Sequence, residues 1–338
     1  MHYRRLGRTA LRVSELCLGT MNFGPETPED ESHKIMDRAI ELGINFFDTA
    51  NRYGGSTGGG ATEEIIGRWF ELGGGRREKV VLATKVFGRM GERPNEKGLS
   101  AYHIRRACEE SLRRLQTDHI DLYQTHRPDL DVPLEETLRA FDDLVTAGKV
   151  RYIGSTTAPS WHIVESLMTS RLQGYVALVS EQTPYNLLDR RAENEIIPAC
   201  ERHGLGVITW SPLGMGMLAG RYESADAVSN DSRVAQRGGI YAERVTPRGV
   251  EIGNRFAAMA RQHGLDPAQA AVAWVRDQPG ITAPILGPRT LAQLTSMLPV
   301  VELTLPDELR DACDDLTPPG GVTASFFNSA PWMRWKIV

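Results

Sequence analysis

Cysteine is scarce in this chain. The four in 338 residues, Cys17, Cys108, Cys200 and Cys313, form no Cys-x-x-Cys pair. Cys17 lies in a strand pattern and Cys108 in a helix pattern, so free thiols, buried or half-buried in a reducing cytosol, are the expectation. Long apolar runs are missing as well: no stretch approaches the about 18 residues of a membrane span, and the opening MHYRRLGRT lacks the apolar centre of a signal peptide. The expected location is therefore cytoplasmic, with no membrane partner. Positive charge is not in excess either. Lys and Arg total 39 against 43 Asp and Glu, a net charge of −4, which argues against a nucleic-acid surface. The short basic pairs Arg76–Arg77 and Arg105–Arg106 flank helices and read as solvated faces. No residue cluster asks for a metal.

A glycine-rich turn after the first strand is also absent, since 18–24 reads LGTMNFG. That tells against a doubly wound open sheet binding a dinucleotide at its first turn. Gly214-x-Gly216-x-x-Ala219 formally matches such a turn, but Gly220-Arg221-Tyr222-Glu223 follows where a long apolar helix belongs.

What is present is an alternation. Apolar strands are expected at 16–18, 44–47, 80–85, 120–124, 150–155, 178–182, 207–211 and 281–286. Helical patterns separate them at 27–42, 62–70, 103–116, 134–147, 160–172 and 192–203, and after an irregular 212–250 at 251–263 and 267–277. The last helix is expected at 290–298. Thr27 with Pro28 starts the first helix as cap and first-turn proline, and Asp266-Pro267 with Gln269 forms a capping box. Eight strand–helix units predict a (β/α)8 TIM barrel, and 338 residues accommodate one domain, 1–338, with long loops. Residues 3–14 form a hairpin around Gly7-Arg8-Thr9, placed as a lid on the N-terminal end of the barrel. A long loop follows the seventh strand, and an aromatic tail, 320–338, ends the chain.

The stretch 43–53, GINFFDTANRY, runs a strand into Asp48 and reaches Tyr53 in a polar loop. Two later strands end on Lys85 and His126. In a barrel these tips share the C-terminal rim. Singly, each is an ordinary strand-end polar residue; together they make a mechanism. An ammonium beside a phenol lowers the phenol's pKa from about 10, so Lys85 is expected to make Tyr53 a better acid. Asp48 then keeps Lys85 charged, and His126 orients a carbonyl oxygen for protonation.

Taken with LGTM (18–21), GSTT (154–157), Gln182, WSPL (210–213) and GPRTLAQ (287–293), this D-x4-Y…K…H order resembles an aldo-keto reductase over nearly the whole chain. The resemblance implies a catalytic tetrad of Asp48, Tyr53, Lys85 and His126, and NADPH-dependent reduction of an aldehyde or ketone. It places Gly19, Thr20 and Met21 at the cofactor site, and assigns the nicotinamide carboxamide to Thr156, Thr157 and Gln182, where the family more often has Ser-Asn before the glutamine. It stacks Trp210 on the nicotinamide and puts Ser211, Pro212, Leu213, Gly214 and Arg221 along the pyrophosphate. Gly287, Arg289 and Gln293 would take the adenosine 2′-phosphate end, although Ser296-Met297 stands where the family usually has Glu-Asn.

The expected partner is a small carbonyl compound, with a homo-oligomer left open. Segments 85–94, 105–117 and 180–186 look like a branch that includes nucleotide-sugar reductases. A second reading is a cofactor-binding regulatory subunit resembling potassium-channel β subunits, which tend to replace the histidine kept here as His126. Residues 54–60, GGSTGGG, read as a flexible wall of the substrate mouth, and the tail aromatics Phe326, Phe327, Trp332 and Trp335 as its cover, with packing on the barrel's outside or in a dimer as the alternative.

Overall fold

Eight strands pair in parallel and close on themselves as a barrel. The computed structural model describes residues 1–54, 59–225, 233–329 and 331–334. Two strands, β1 (Tyr3–Arg5) and β2 (Arg12–Ser14), pair antiparallel ahead of the barrel. The barrel strands are β3 (Cys17–Gly19), β4 (Phe46–Asp48), β5 (Val81–Val86), β6 (Ile120–Thr125), β7 (Val150–Thr156), β8 (Leu178–Pro184), β9 (Gly206–Trp210) and β10 (Ile281–Leu286). The barrel and the preceding hairpin are those expected. No helix among the described residues is long and apolar enough to cross a membrane.

Strand alternation sorts the core into two layers. Phe47, Leu82, Tyr123, Ile153 and Val207 pack outward against the helices. Cys17, Phe46, Ala83, Leu122, Ile208 and Ala283 fill the barrel interior. Two residues further on, the inward positions become Asp48, Lys85, Gln124 and Trp210, so the same alternation that fills the interior also gathers polar groups at its top. Close packing there requires small side chains: a Cβ on Gly154 would lie 2.5 Å from Ser180 Oγ.

The hairpin closes the other end. Leu6 and Val13 belong to the interior cluster, and Arg8 N–H donates to Gly204 O at 2.8 Å just before β9. Gly7 makes this approach with a positive φ of 57°, and any side chain there would meet Gly204 O at 2.5 Å.

Several local expectations change. Pro28, not Thr27, stands at the N-cap of helix Glu29–Glu41 with no side-chain cap; the Thr27 hydroxyl instead donates across the rim to Arg289 O at 3.0 Å. Asp266 does cap helix Pro267–Arg276, but the Gln269 amide donates to Ser296 O and closes no box. The 192–203 pattern divides into a short 3-10 turn, Arg191–Glu193, and helix Ile196–His203. Helix Pro247–Gln262 begins a turn before 251, capped by Thr246 with Pro247 in its first turn. The helix near 290 is not the last: Asp307–Leu316 and Pro331–Arg334 follow. Asp307–Leu316 carries an acidic first turn and buries Leu309, Cys313 and Leu316 on one face, a period the sequence displays. Arg76 and Arg77 are not a solvated face; Arg77 reaches Asp121 at 2.8 Å and Arg76 reaches Asp37 at 2.9 Å, tying neighbouring units. All four cysteines are free and buried.

Candidate active site

β4 and β5 are register neighbours, with Asp48 paired to Ala83, and this sets Asp48 beside Lys85. The ammonium of Lys85, fully buried, lies 2.6 Å from Asp48 Oδ2. It also donates to Thr49 O at 3.0 Å and to Tyr53 Oη at 3.3 Å. Tyr53 is held by its own loop: its N–H donates to Ala50 O, and its carbonyl accepts from Gly60 N–H at 3.0 Å, at the start of helix Ala61–Glu71. The phenol lies edge-on to the His126 ring, centroids 5.7 Å apart. His126 follows directly on β6 and donates its backbone N–H to Val86 O at 2.8 Å. The four predicted residues therefore converge.

Burial dominates the electrostatics. It pushes the Tyr53 phenol above its usual pKa; the Lys85 charge pulls it down without overcoming that push. Lys85 thus lowers the phenol's pKa as expected, but the net position stays above the usual value, because desolvating a phenolate costs more than one nearby ammonium returns. Burial also opposes the charge on Lys85, but Asp48 and Tyr53 outweigh it and hold the ammonium above its ordinary value. His126, desolvated and facing the charges of Lys85 and Arg127, drops to about 3 and is neutral at physiological pH. The Cys17 thiol is raised well above its usual range by burial and by Asp48, so it is no nucleophile.

The second oxygen of Asp48 accepts from two amides, Gln182 at 2.8 Å and Gln124 at 3.3 Å. Gln182 was assigned by resemblance to a cofactor carboxamide; its NH2 is engaged by Asp48, which leaves its oxygen as the group that can accept. Gln124 was not anticipated. It stands two residues before His126 on the same inward face of β6, and the strand alternation was the signal that would have found it.

Around the rim, Thr156 pairs in register with Gln182, and its buried hydroxyl has no hydrogen-bond partner. Thr157, Ser211 and Met215 all take positive φ, between 57° and 60°. Such strain in non-glycine residues clusters at ligand sites. Trp210 ends β9, with Phe326 edge-on at 6.5 Å and the Arg244 guanidinium 5.0 Å from its ring centre. Asn186 accepts from Leu188 N–H and donates to Ser211 O, bracing the 210–213 turn. Gly214 and Gly216 lie in a tight 3-10 turn rather than a dinucleotide turn.

A Cβ on Gly19 would press on Ile285 at 2.5 Å, and Thr20 bonds the Asp48 carbonyl through both N–H and hydroxyl at 3.0 Å. Gly287 O accepts from Asn22 at 2.9 Å. Arg289 follows, its backbone N–H donating to the Gln293 side-chain oxygen at 2.8 Å. Arg237 bonds Glu26 at 2.7 Å and Met21 O at 3.5 Å, carrying the segment after β9 across to the β3 loop. No spacing or motif marked Arg237 or Arg244, because both lie in the irregular 212–250 stretch. Residues 55–58 of the predicted mouth loop, the Trp332 ring and Trp335 lie outside the described residues.

A buried Asp–Lys pair aimed at a tyrosine and flanked by a neutral histidine at the C-terminal rim of a parallel barrel is chemistry for moving a proton. The Aldo/keto reductase family model matches residues 15–317. The chain belongs to the aldo/keto reductase family. It is 46% identical to the uncharacterised oxidoreductase YrpG of Bacillus subtilis over 329 residues, 96% of this chain and 98% of that protein. Protein tas of Escherichia coli is 34% identical, covering 91% of this chain and 95% of its own. A rice protein named "Probable voltage-gated potassium channel subunit beta" is also 34% identical, covering 91% of this chain and 94% of its own. As a family member the chain is an oxidoreductase of carbonyl chemistry, and members of the family use nicotinamide cofactors.

Proposed function

We propose that this aldo/keto reductase reduces an aldehyde or ketone to an alcohol, using NADPH and the proton of Tyr53. The observation that carries the reading is the Lys85 ammonium, 2.6 Å from Asp48 and 3.3 Å from the Tyr53 hydroxyl. The fit to a nicotinamide cofactor is supported by the unpartnered buried Thr156 hydroxyl beside Gln182 and by the strained rim at Thr157 and Ser211. When bound, the reduced nicotinamide supplies the hydride.

The residues then have separate tasks. Thr156, Thr157 and the Gln182 oxygen hold an amide, and Trp210 is the platform under an aromatic ring. Gly19, Thr20 and Met21 line the floor, while Ser211, Pro212, Leu213, Gly214 and Arg221 take a pyrophosphate. Gly287, Arg289 and Gln293 receive the adenosine end. Neutral His126 orients the carbonyl oxygen through a ring N–H. Tyr53 Oη donates its proton to that oxygen as negative charge develops, and Lys85 stabilises the phenolate left behind, at the moment when charge makes its proximity count. Asp48, gripped by Gln124 and Gln182, keeps the ammonium aimed. The complete tetrad, His126 included, favours turnover over the purely regulatory role of a channel subunit.

The cofactor choice rests on Arg289. Arg289→Ala weakens NADPH by about 1.5–3 kcal/mol, roughly one to two orders of magnitude, through loss of a charge-assisted contact to phosphate, and leaves NADH nearly unchanged. Fluorescence titration of both cofactors reads this; equal weakening would place Arg289 away from the 2′-phosphate.

The tail covers the substrate side of Trp210 in this reading. Support comes from Phe326, fully buried against that ring, and from Asp189, whose Oδ2 accepts the backbone N–H groups of Phe326 at 2.6 Å and Phe327 at 3.0 Å. Phe326→Ala lowers kcat/KM for a bulky aromatic aldehyde several-fold more than for a small one, since remote binding energy is drawn on in the transition state. Equal losses for both aldehydes would confine Phe326 to packing.

A further inference from the structure

Glu181 stands one residue before Gln182 on β8 and faces the other way. Strand alternation turns Gln182 into the barrel mouth, toward Asp48, and turns Glu181 outward beneath the helices, where it is fully buried. A carboxyl group at that depth is costly unless it is engaged. Both of its oxygens serve one turn. Oε2 accepts from the hydroxyl of Ser155, its register partner on β7. Oε1 accepts from the backbone N–H of Ala158 at 2.9 Å, just before helix Ser160–Gln173 begins.

Between these two anchors lie Thr156 and Thr157. Thr157 holds a φ of 57°, a left-handed conformation that a β-branched residue keeps only where its surroundings impose it. β8 imposes it from both sides: Thr157 N–H donates to Gln182 O at 2.7 Å, and Ala158 N–H donates to Glu181. Without the second bond the strained residue is held at one end only. Thr156, paired in register with Gln182, carries the buried hydroxyl that has no hydrogen-bond partner.

We infer that Glu181 is a positioning residue: from behind the barrel wall it fixes the Thr156–Thr157 turn in the conformation that presents both hydroxyls, together with the Gln182 oxygen, to an amide. The inference rests on the reading of this turn as the seat of the nicotinamide carboxamide. Glu181 faces away from that seat and acts through the turn alone.

What the turn needs is an acceptor at this point rather than a charge. Glu181→Gln keeps an oxygen for Ala158 and offers its NH2 to the Ser155 hydroxyl, which can rotate to accept. Glu181→Asp draws the carboxyl back by one methylene and takes both bonds out of range. Glu181→Leu fills most of the space but leaves the Ala158 N–H buried without an acceptor.

Binding of NADPH and of adenosine 2′,5′-bisphosphate, which has the adenosine end and no nicotinamide, separates a displaced turn from a damaged fold. Glu181→Asp and Glu181→Leu should weaken NADPH about tenfold, the worth of one or two hydrogen bonds, and the bisphosphate by less than about twofold. Glu181→Gln should stay within about twofold of wild type for both. Glu181→Asp carries the test if Glu181→Leu does not fold. Thr156→Val, the direct probe of the amide seat, should weaken NADPH alone and add nothing further to Glu181→Asp, because the two act through one turn. If Thr156→Val weakens NADPH while the Asp and Leu variants of Glu181 do not, the inference falls and the amide seat stands. If Thr156→Val leaves NADPH unchanged, the amide seat itself is refuted and the inference falls with it. Equal weakening of NADPH and the bisphosphate by the Glu181 variants, or additive losses in Glu181→Asp with Thr156→Val, would overturn it as well.

Discussion

Tyr53→Phe lowers kcat for reduction of a small aldehyde by roughly 10²–10⁴, the usual worth of a positioned proton donor, and leaves NADPH binding within a few-fold of wild type. The phenol hydroxyl lies 3.3 Å from Lys85 and edge-on to His126, so its loss removes the proton from the reaction without removing a wall of the site. Turnover above a tenth of wild type in the variant would exclude Tyr53 as the acid. The pH dependence follows from the same geometry. His126, brought down to about 3, stays neutral as pH falls through the ordinary histidine range, and Tyr53, raised by burial, stays protonated through neutral pH. kcat/KM for aldehyde reduction is therefore expected to be flat between about pH 5 and 9, the interval clear of both groups. A limb near pH 7 that vanishes in Tyr53→Phe would show that the Lys85 charge outweighs burial in the working complex.

Lys85→Met has the other large effect, on stability as well as rate. Asp48 is 3% exposed and its Oδ2 has Lys85 for its counter-charge at 2.6 Å. Removing one partner of a buried ion pair strands the other, at a cost of about 3–5 kcal/mol. Urea unfolding at neutral pH reads that loss, and the same variant loses at least about a hundredfold in kcat because the phenolate has no cation beside it. Adding Asp48→Asn to Lys85→Met neutralises the stranded group and should return most of the stability with none of the activity. If the single variant unfolds at the wild-type midpoint, the amides of Gln124 and Gln182 suffice for Asp48, and the lysine is held for chemistry alone.

Much of the barrel was legible because strand period and rim position are local properties. The polar tips Asp48, Lys85 and His126 interrupt or end apolar runs, and in a parallel barrel every such tip faces the same mouth. Helix Asp307–Leu316 was missed although its signal is local, since Leu309, Cys313 and Leu316 repeat on one face after Pro306; the Thr246-Pro247 start of helix Pro247–Gln262 was missed in the same way. Thr27 misled for a physical reason. A hydroxyl before a proline has the chemistry of a cap, but a better-placed acceptor, the Arg289 carbonyl, arrives from the far end of the chain. Arg77 misled in the same way, by finding Asp121 across the neighbouring strand.

Sequence by itself determined the eight-fold alternation, the interior and exterior faces of the strands, and the identity of the four groups at the rim, because each depends on residue type and spacing within one strand–helix unit. Tertiary structure alone decided the sign of the Tyr53 shift, the double amide grip on Asp48, and the seating of Arg244 between Trp210 and Phe326. Those depend on how completely water is excluded and on which side chains meet from units 34 to 134 residues apart. Desolvation and long-range contact are properties of the closed barrel, and no single segment carries either.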